Sequence, residues 1–238
     1  MELDDAAVEY ASDMGNIRHL STANYVWNVG IVGSKGSQIA ALAAAIYVLG
    51  TPLFAQTNED WALCLGRDFA SPDLPIKGCT AVIQTGRQVL RNLATAYNNR
   101  GVAYRLEAKY EEAIRDFDEA IRLVPDDAHA FNNRGVAYRN MGNFDRAVAD
   151  YDRAISIKSD FTAAYYNRGL VLADKKQYAK AISDFTTVLQ VDPKNAMALY
   201  RRGTAYLNSG DAKNGNADLA EARAISPNIA AEVIRAEP

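Results

Sequence analysis

The chain has 238 residues, 49% apolar and 23% charged, a globular composition that argues against disorder through most of its length. Its formal net charge is −3, from 26 basic and 29 acidic side chains, so no basic excess exists to neutralise phosphates and nucleic acid is not an expected partner. The two histidines, His19 and His129, are too few and too far apart for a metal site or a catalytic pairing, and nothing in the sequence implies a cofactor.

In chain order, residues 1–34 come first as a partly acidic extension carrying Glu2, Asp4, Asp5, Glu9 and Asp13. Residues 35–55 follow: Lys35, an apolar run from Ile39 to Leu49, the break Gly50-Thr51-Pro52, then Leu53-Phe54-Ala55-Gln56. A positive charge, a short apolar core and a small residue at its end describe a secretory signal peptide, with cleavage expected after Ala55. The run is shorter than the roughly 20 residues of a membrane span. The long acidic extension is unlike the usual start of such a signal, which leaves three readings. The first is a translation start assigned too far upstream; the others are an uncleaved anchor and a buried helix of the fold. Gly30, Gly33, Lys35 and Gly36 lack the order of a phosphate-binding loop.

Residues 56–93 read as a degenerate leading cap. Trp61-Ala-Leu-Cys64 is expected to open a helix, and Ser71-Pro72-Asp73-Leu74-Pro75 reads as a turn and a helix start. Ile76, Cys79, Val82 and Ile83 make an apolar stripe like that of the second helices downstream, with Cys79 in the place that Phe117 holds later. In an exported chain Cys64 and Cys79 are expected to form a disulfide across this cap; in a cytosolic one they would be buried thiols. They are not spaced as a CxxC redox pair.

From residue 94 the sequence repeats with a period of 34, in units 94–127, 128–161, 162–195 and 196–229. Asn99-Arg100-Gly101 returns as Asn133-Arg134-Gly135, Asn167-Arg168-Gly169 and Arg201-Arg202-Gly203. An aromatic follows three residues later in Tyr104, Tyr138 and Tyr206, with Leu172 substituting once. Then come Ala113, Phe117, Ala120; Ala147, Tyr151, Ala154; Ala181, Phe185, Val188; and a weaker Gly215, Leu219, Ala222. Pro125, Pro193 and Pro227 close three units, and Ser159 stands in that place in the second. Apolar residues three and four apart on both sides of a short polar turn predict two amphipathic helices per unit. The turns fall at Glu107-Ala108-Lys109, Met141-Gly142-Asn143, Lys175-Lys176-Gln177 and Ser209-Gly210-Asp211. A helical glycine costs about 1 kcal/mol relative to alanine. Its return in every unit therefore needs a packing reason, a close approach of the paired helix with Ala113, Ala147 and Ala181 expected to face it.

These residues resemble the tetratricopeptide repeat, whose aromatic, Gly, Tyr, Ala, Phe, Ala and Pro positions match Tyr97, Gly101, Tyr104, Ala113, Phe117, Ala120 and Pro125 in the first unit. The resemblance implies an all-α, right-handed superhelical solenoid of about four repeats with a degenerate leading cap. Residues 230–238 would be a tail or part of a short capping helix that begins near Asn228 and packs through Ile229, Val233 and Ile234. One departure stands out. Where the family usually has leucine before the glycine, this chain has Arg100, Arg134, Arg168 and Arg202, each followed sixteen residues later by Asp116, Asp150, Asp184 or Asp218. We expect an Arg–Asp ladder tying first to second helices, with a row of arginines reading carboxylates as the functional alternative.

By the same resemblance a ligand would lie on the concave side, against the first helices. The expected lining is Tyr97, Asn98, Asn99, Val102 and Arg105; Asn132, Asn133, Val136 and Arg139; Tyr166, Asn167 and Leu170; Tyr200, Arg201 and Thr204. Carboxamides such as Asn99, Asn133 and Asn167 can both donate to and accept from an extended peptide backbone. Chaperone-binding members of the family grip a terminal carboxylate with lysines that this chain lacks, so that specificity does not carry over. His129, at a helix start, is expected at the surface. Taken together, the sequence predicts a noncatalytic scaffold for a protein or peptide, periplasmic or secreted. The alternatives are a membrane-anchored assembly factor with its repeats outside the cytoplasm, if residues 36–55 stay as an anchor, and a regulator or enzyme with a site in the front segment. No nucleophile–base spacing or metal cluster supports the last.

Overall fold

The computed structural model describes residues 53–66, 71–86 and 88–235. Residues 1–34 and nearly all of the 35–55 signal lie outside that range. Eleven helices occupy the described residues. The leading hairpin is α1 (Leu53–Cys64) and α2 (Asp73–Gln84). Four more follow: α3 (Leu90–Leu106) with α4 (Tyr110–Leu123), α5 (Ala128–Asn140) with α6 (Phe144–Ile157), α7 (Thr162–Asp174) with α8 (Tyr178–Val191), and α9 (Ala196–Asn208) with α10 (Ala212–Ile225). The closing α11 spans Ile229–Arg235. Trp61-Ala-Leu-Cys64 ends α1 rather than opening a helix, and the first full unit begins at Leu90, four residues ahead of the repeat boundary. The backbone of α1 already runs through Ala55 and Gln56.

The turn within each unit brings one residue to positive φ: Ala108 at 56°, Gly142 at 73°, Lys176 at 58° and Gly210 at 94°. Glycine adopts this left-handed conformation without the β-carbon penalty, while Ala108 and Lys176 are held there by the closed helix ends. The second helices end two residues before Pro125, Ser159, Pro193 and Pro227. First helices α5, α9 and the second helix α10 carry side-chain caps at their starts: Asp127 accepts from the backbone N–H groups of His129 and Ala130, Asn195 from that of Ala198, and Asp211 from that of Asn214.

Within a unit the helical glycine meets an aromatic ring. A β-carbon on Gly101 would lie 2.7 Å from Cε1 of Phe117, one on Gly135 2.7 Å from Cε1 of Tyr151, and one on Gly169 2.8 Å from Cε1 of Phe185. It is thus the ring, and not the expected alanines Ala113, Ala147 and Ala181, that takes the space left by the missing β-carbon; those alanines are buried beside it. Between units, Ala128, Phe131, Ala154, Phe161 and Ala164 form one shared core, and Val188, Leu189, Ala198, Leu199, Ala222, Ile229 and Val233 another. Each large apolar side chain sealed in these junctions contributes about 1.5–3 kcal/mol, so stability accrues junction by junction.

Both ends are covered. The cap seats Cys64, Cys79 and Val82 against Ala96 of α3, with Trp61 and Ile83 around them. Cys64 and Cys79 are joined by a disulfide. At the other end α11 lays Ile229 and Val233 on the last unit, but Ile234 points outward and is 70% exposed, unlike its expected partners in the cap. No described helix is long and apolar enough to cross a membrane.

Candidate functional site

The arginines of the repeat come out of the middle of each first helix, one residue before the glycine where the paired helix is nearest. Arg100 donates from Nε and Nη2 to both carboxylate oxygens of Asp116, at 2.7 and 2.8 Å. Arg134 holds Asp150 at 2.9 and 2.7 Å, Arg168 holds Asp184 at 2.8 and 2.7 Å, and Arg202 holds Asp218 at 2.7 and 2.9 Å. All four aspartates are buried. This parallel two-bond geometry is the strong form of the carboxylate–guanidinium contact. Each arginine's third donor, Nη1, reaches back to the second helix of the preceding unit. It meets Asp118 from Arg134 and Asp152 from Arg168, and the Thr80 and Thr186 hydroxyls from Arg100 and Arg202. The ladder therefore runs within units and between them.

Sequence reasoning missed these second partners, although Asp118 and Asp152 also stand sixteen residues from an arginine and 34 from each other. Thr80 takes the Asp118 place in the cap, which puts Cys79 in the Phe117 place. The aspartate hydrogen bonds hold the Arg100, Arg134, Arg168 and Arg202 guanidiniums above their ordinary value, against the pull of burial. Burial pushes the Asp116 and Asp150 carboxyls above the ordinary aspartate range, with the arginines pulling the other way.

First helices of adjacent units touch one another, and second helices do so more sparsely, so the first helices line the inner side. The expected lining residues divide there. Asn98 and Asn132 are buried at 4% and 2% exposure, and Leu170 is buried too, so none of the three presents a side chain to a ligand. Leu170 packs with Leu172, Ala181, Phe185 and Ala205, and the asparagines belong to a relay of amides: Asn133 donates to Asn98 Oδ1 and Asn167 to Asn132 Oδ1, both at 3.0 Å, while Asn99 donates to the Cys64 carbonyl at 3.3 Å. Asn99, Asn133 and Asn167 are only half-buried, and each keeps its oxygen and a second N–H outside the relay. Tyr97 belongs to the ladder, its ring 5.5 Å from the Arg100 guanidinium and packed at the unit junction.

Val102, Val136, Tyr200 and Arg201 are half-buried on the inner helices. Tyr166 meets Phe185 edge-on at 5.7 Å, and Thr204 donates to the Tyr200 carbonyl. Arg105 and Arg139 lie close enough to the Tyr151 hydroxyl to act on it, and Arg139 Nε stands 4.0 Å from Asp174. Burial nevertheless pushes that phenol well above its ordinary value. His129 is half-buried, with its ring tilted on Phe161 at 4.7 Å. Among the described residues no three His, Cys, Asp or Glu side chains gather as metal ligands would.

This architecture defines an α-solenoid of helical hairpins with a continuous inner face. Residues 94–127, 128–161 and 162–195 each match the tetratricopeptide repeat family, and the chain is a tetratricopeptide-repeat protein. The fourth unit has the same fold without such a match. Among solved structures, a MamA protein is 20% identical with a TM-score of 0.61, covering 78% of this chain and 98% of its own. YrrB, described as a tetratricopeptide-repeat protein with an unusual peptide-binding site, is 22% identical with a TM-score of 0.59, covering 82% of this chain and 98% of its own. MamA from Desulfovibrio magneticus RS-1 is 25% identical with a TM-score of 0.54, covering 60% and 87%. At these identities the likeness establishes the fold. No curated protein matches the chain in sequence.

Proposed function

We propose that this chain is a noncatalytic scaffold of the bacterial envelope, which holds a protein or peptide segment along the inner face of α3, α5, α7 and α9. The observation that carries this reading is the fixed register of that face. Asn–Asn bonds and Arg–Asp pairs join the first three units in succession, so Asn99, Asn133 and Asn167 stand in a row with donor and acceptor capacity left over. A preorganised row of amides offers an extended backbone hydrogen bonds without the entropy of ordering a loop. YrrB, with the same fold, is described as carrying a peptide-binding site, which supports the class of ligand and not its sequence. The disulfide between Cys64 and Cys79 supports the export part, since such bonds persist in oxidising compartments.

The test is site-specific photo-crosslinking in the native host, with the photoreactive residue at Val102 or Val136 on the inner helices and at Arg115 or Arg122 on an outer one. Discrete adducts from the inner positions alone are expected. Adducts confined to the outer positions, or none at all, overturn the groove. Export is read separately, by fusing residues 1–58 to a reporter active only outside the cytoplasm; a silent fusion removes the envelope from the proposal.

A further inference from the structure

Unit three departs from the others at one place in its first helix. Tyr104, Tyr138 and Tyr206 each lay a ring near the ladder arginine of their unit, at 5.9 Å from Arg100, 6.0 Å from Arg134 and 6.0 Å from Arg202. In unit three the residue is Leu172, and among the described residues Arg168 has a ring only from Tyr165, at 5.4 Å, as Arg202 has one only from Tyr206. Where this tyrosine ring is missing, the outer surface between α6 and α8 opens into a cleft of about 480 Å³. Val148 and the largely buried Leu172 give it apolar walls, the Arg168 side chain is 21% exposed beside them, and Lys175 and Lys180 stand at its rim.

The charge of this place is as distinctive as its shape. From residue 175 to 183 unit three carries Lys175, Lys176 and Lys180 and no acidic residue, whereas the matching stretch of unit one holds Glu107, Glu111 and Glu112 beside Lys109. The two aspartates of the cleft, Asp152 and Asp184, are already held by Arg168, and Lys175 pairs with Asp145. The Lys180 ammonium is exposed and has no ion pair among the described residues.

We propose that this cleft is a docking site for a partner segment in which an aromatic side chain stands beside acidic residues. The ring occupies the place of the missing tyrosine, stacked against Arg168 and resting on Leu172 and Val148, and a neighbouring carboxylate reaches Lys180. Arginine over an aromatic face is favourable in such a partly desolvated site, and the basic rim selects the flanking charge. The site lies on the opposite side of the solenoid from the inner face, so its occupancy is independent of the groove.

The test is an NMR titration of the full chain with the blocked pentapeptide Asp-Asp-Phe-Asp-Asp, against Asp-Asp-Ala-Asp-Asp and Lys-Lys-Phe-Lys-Lys. The expected result is saturable shifts of the Arg168 side chain, the Leu172 methyls and the Lys180 amide, with a Kd of about 1 mM or tighter. Neither control peptide should reproduce them. Leu172→Tyr, which restores the ring carried by the other three units, should weaken binding at least tenfold or so. Lys180→Glu, at an exposed position that leaves the fold intact, should weaken it by about threefold or more, and this variant decides the matter if Leu172→Tyr does not fold. Equal shifts with the alanine peptide, affinity unchanged by both substitutions, or no shifts at about 5 mM peptide would each overturn the proposal. Crosslinking from Val102 and Val136 reports on the inner face separately, so failure of one site is distinguishable from failure of the other.

Discussion

Replacing Asp150 with alanine tests whether the ladder is structural. Asp150 is 6% exposed and accepts two bonds from Arg134, whose side chain is itself only 19% exposed. Removing one partner of a buried pair costs about 3–5 kcal/mol when the other charge is left uncompensated. Arg134 is not left so, because it keeps Asp118, an exposed carboxylate at 2.5 Å. The expected cost of Asp150→Ala therefore falls below that range, at about 2–3 kcal/mol. Among the described residues Arg100 has only the neutral Thr80 hydroxyl, at 3.1 Å, as a further hydrogen-bond partner, so Asp116→Ala should cost about 1 kcal/mol more. Urea unfolding followed by helical circular dichroism measures both, fitted with nearest-neighbour coupling because repeat arrays need not unfold as one unit. The double replacement Arg134→Met, Asp150→Leu removes both charges together and should cost less than Asp150→Ala alone. The reasoning fails if Asp150→Ala lies within about 0.5 kcal/mol of the wild type, or if Asp116→Ala proves the milder of the two.

Four further outcomes follow from the geometry. The Tyr151 hydroxyl is buried without a hydrogen-bond partner among the described residues, so Tyr151→Phe should stabilise by about 1 kcal/mol; a loss of stability in urea titration would show that the hydroxyl is satisfied. Reducing the Cys64–Cys79 bond, which closes a separation of 15 residues, should cost about 3 kcal/mol, seen as a lower Tm with dithiothreitol that the Cys64→Ser, Cys79→Ser protein does not show. Gly135→Ala gains about 1 kcal/mol of helix propensity but drives a β-carbon to 2.7 Å from the fully buried Tyr151 ring, where overpacking costs about 1–3 kcal/mol; a net loss in Tm is expected, and a gain would mean the ring moves freely. Hydrogen bonds from the Asn214 backbone and side chain hold the Asp211 carboxyl below its ordinary value. Its contribution is full above the unfolded pKa of about 4 and fades as pH falls through the folded value, so the Tm gap to Asp211→Ala should narrow in acid.

The hairpins were legible because their signal repeats: glycine, alanine and aromatic recur at one period, and each recurrence tests the last. The Arg–Asp spacing was legible for the same reason. What the sequence could not show was direction. Asn98 and Asn99 are neighbours of one residue type, yet one is buried and accepts from Asn133 while the other is half-buried and donates to the Cys64 carbonyl, a difference of about 100° around the helix. An aromatic fits either side of a helix, so the sequence alone does not reveal that the Tyr97 ring lies 5.5 Å from the Arg100 guanidinium. In the cap, Trp61 was taken for the start of a helix because the helix ahead of it begins inside a segment read as a signal, where an apolar run has two meanings.

Two departures from the repeat, one in unit four and one in unit three, show that a lost side chain can have opposite consequences. Unit four replaces the aromatic by Leu219 and the alanine by Gly215, and its helices close over the loss. A β-carbon on Gly203 would meet Asp218 Cβ and the Gly215 carbonyl at 3.0 Å, and one on Gly215 would meet Leu207 at 2.8 Å. There the missing volume lies between paired helices that can move together, so close packing is restored. Unit three loses its ring at Leu172, on the side of α7 that faces the boundary between α6 and α8. Those two helices are each fixed to Arg168, through Asp152 and Asp184, and cannot close without breaking charged bonds. The ladder that makes the solenoid rigid is thus also what keeps the outer cleft open, and the space persists because the pairs around it hold the walls apart.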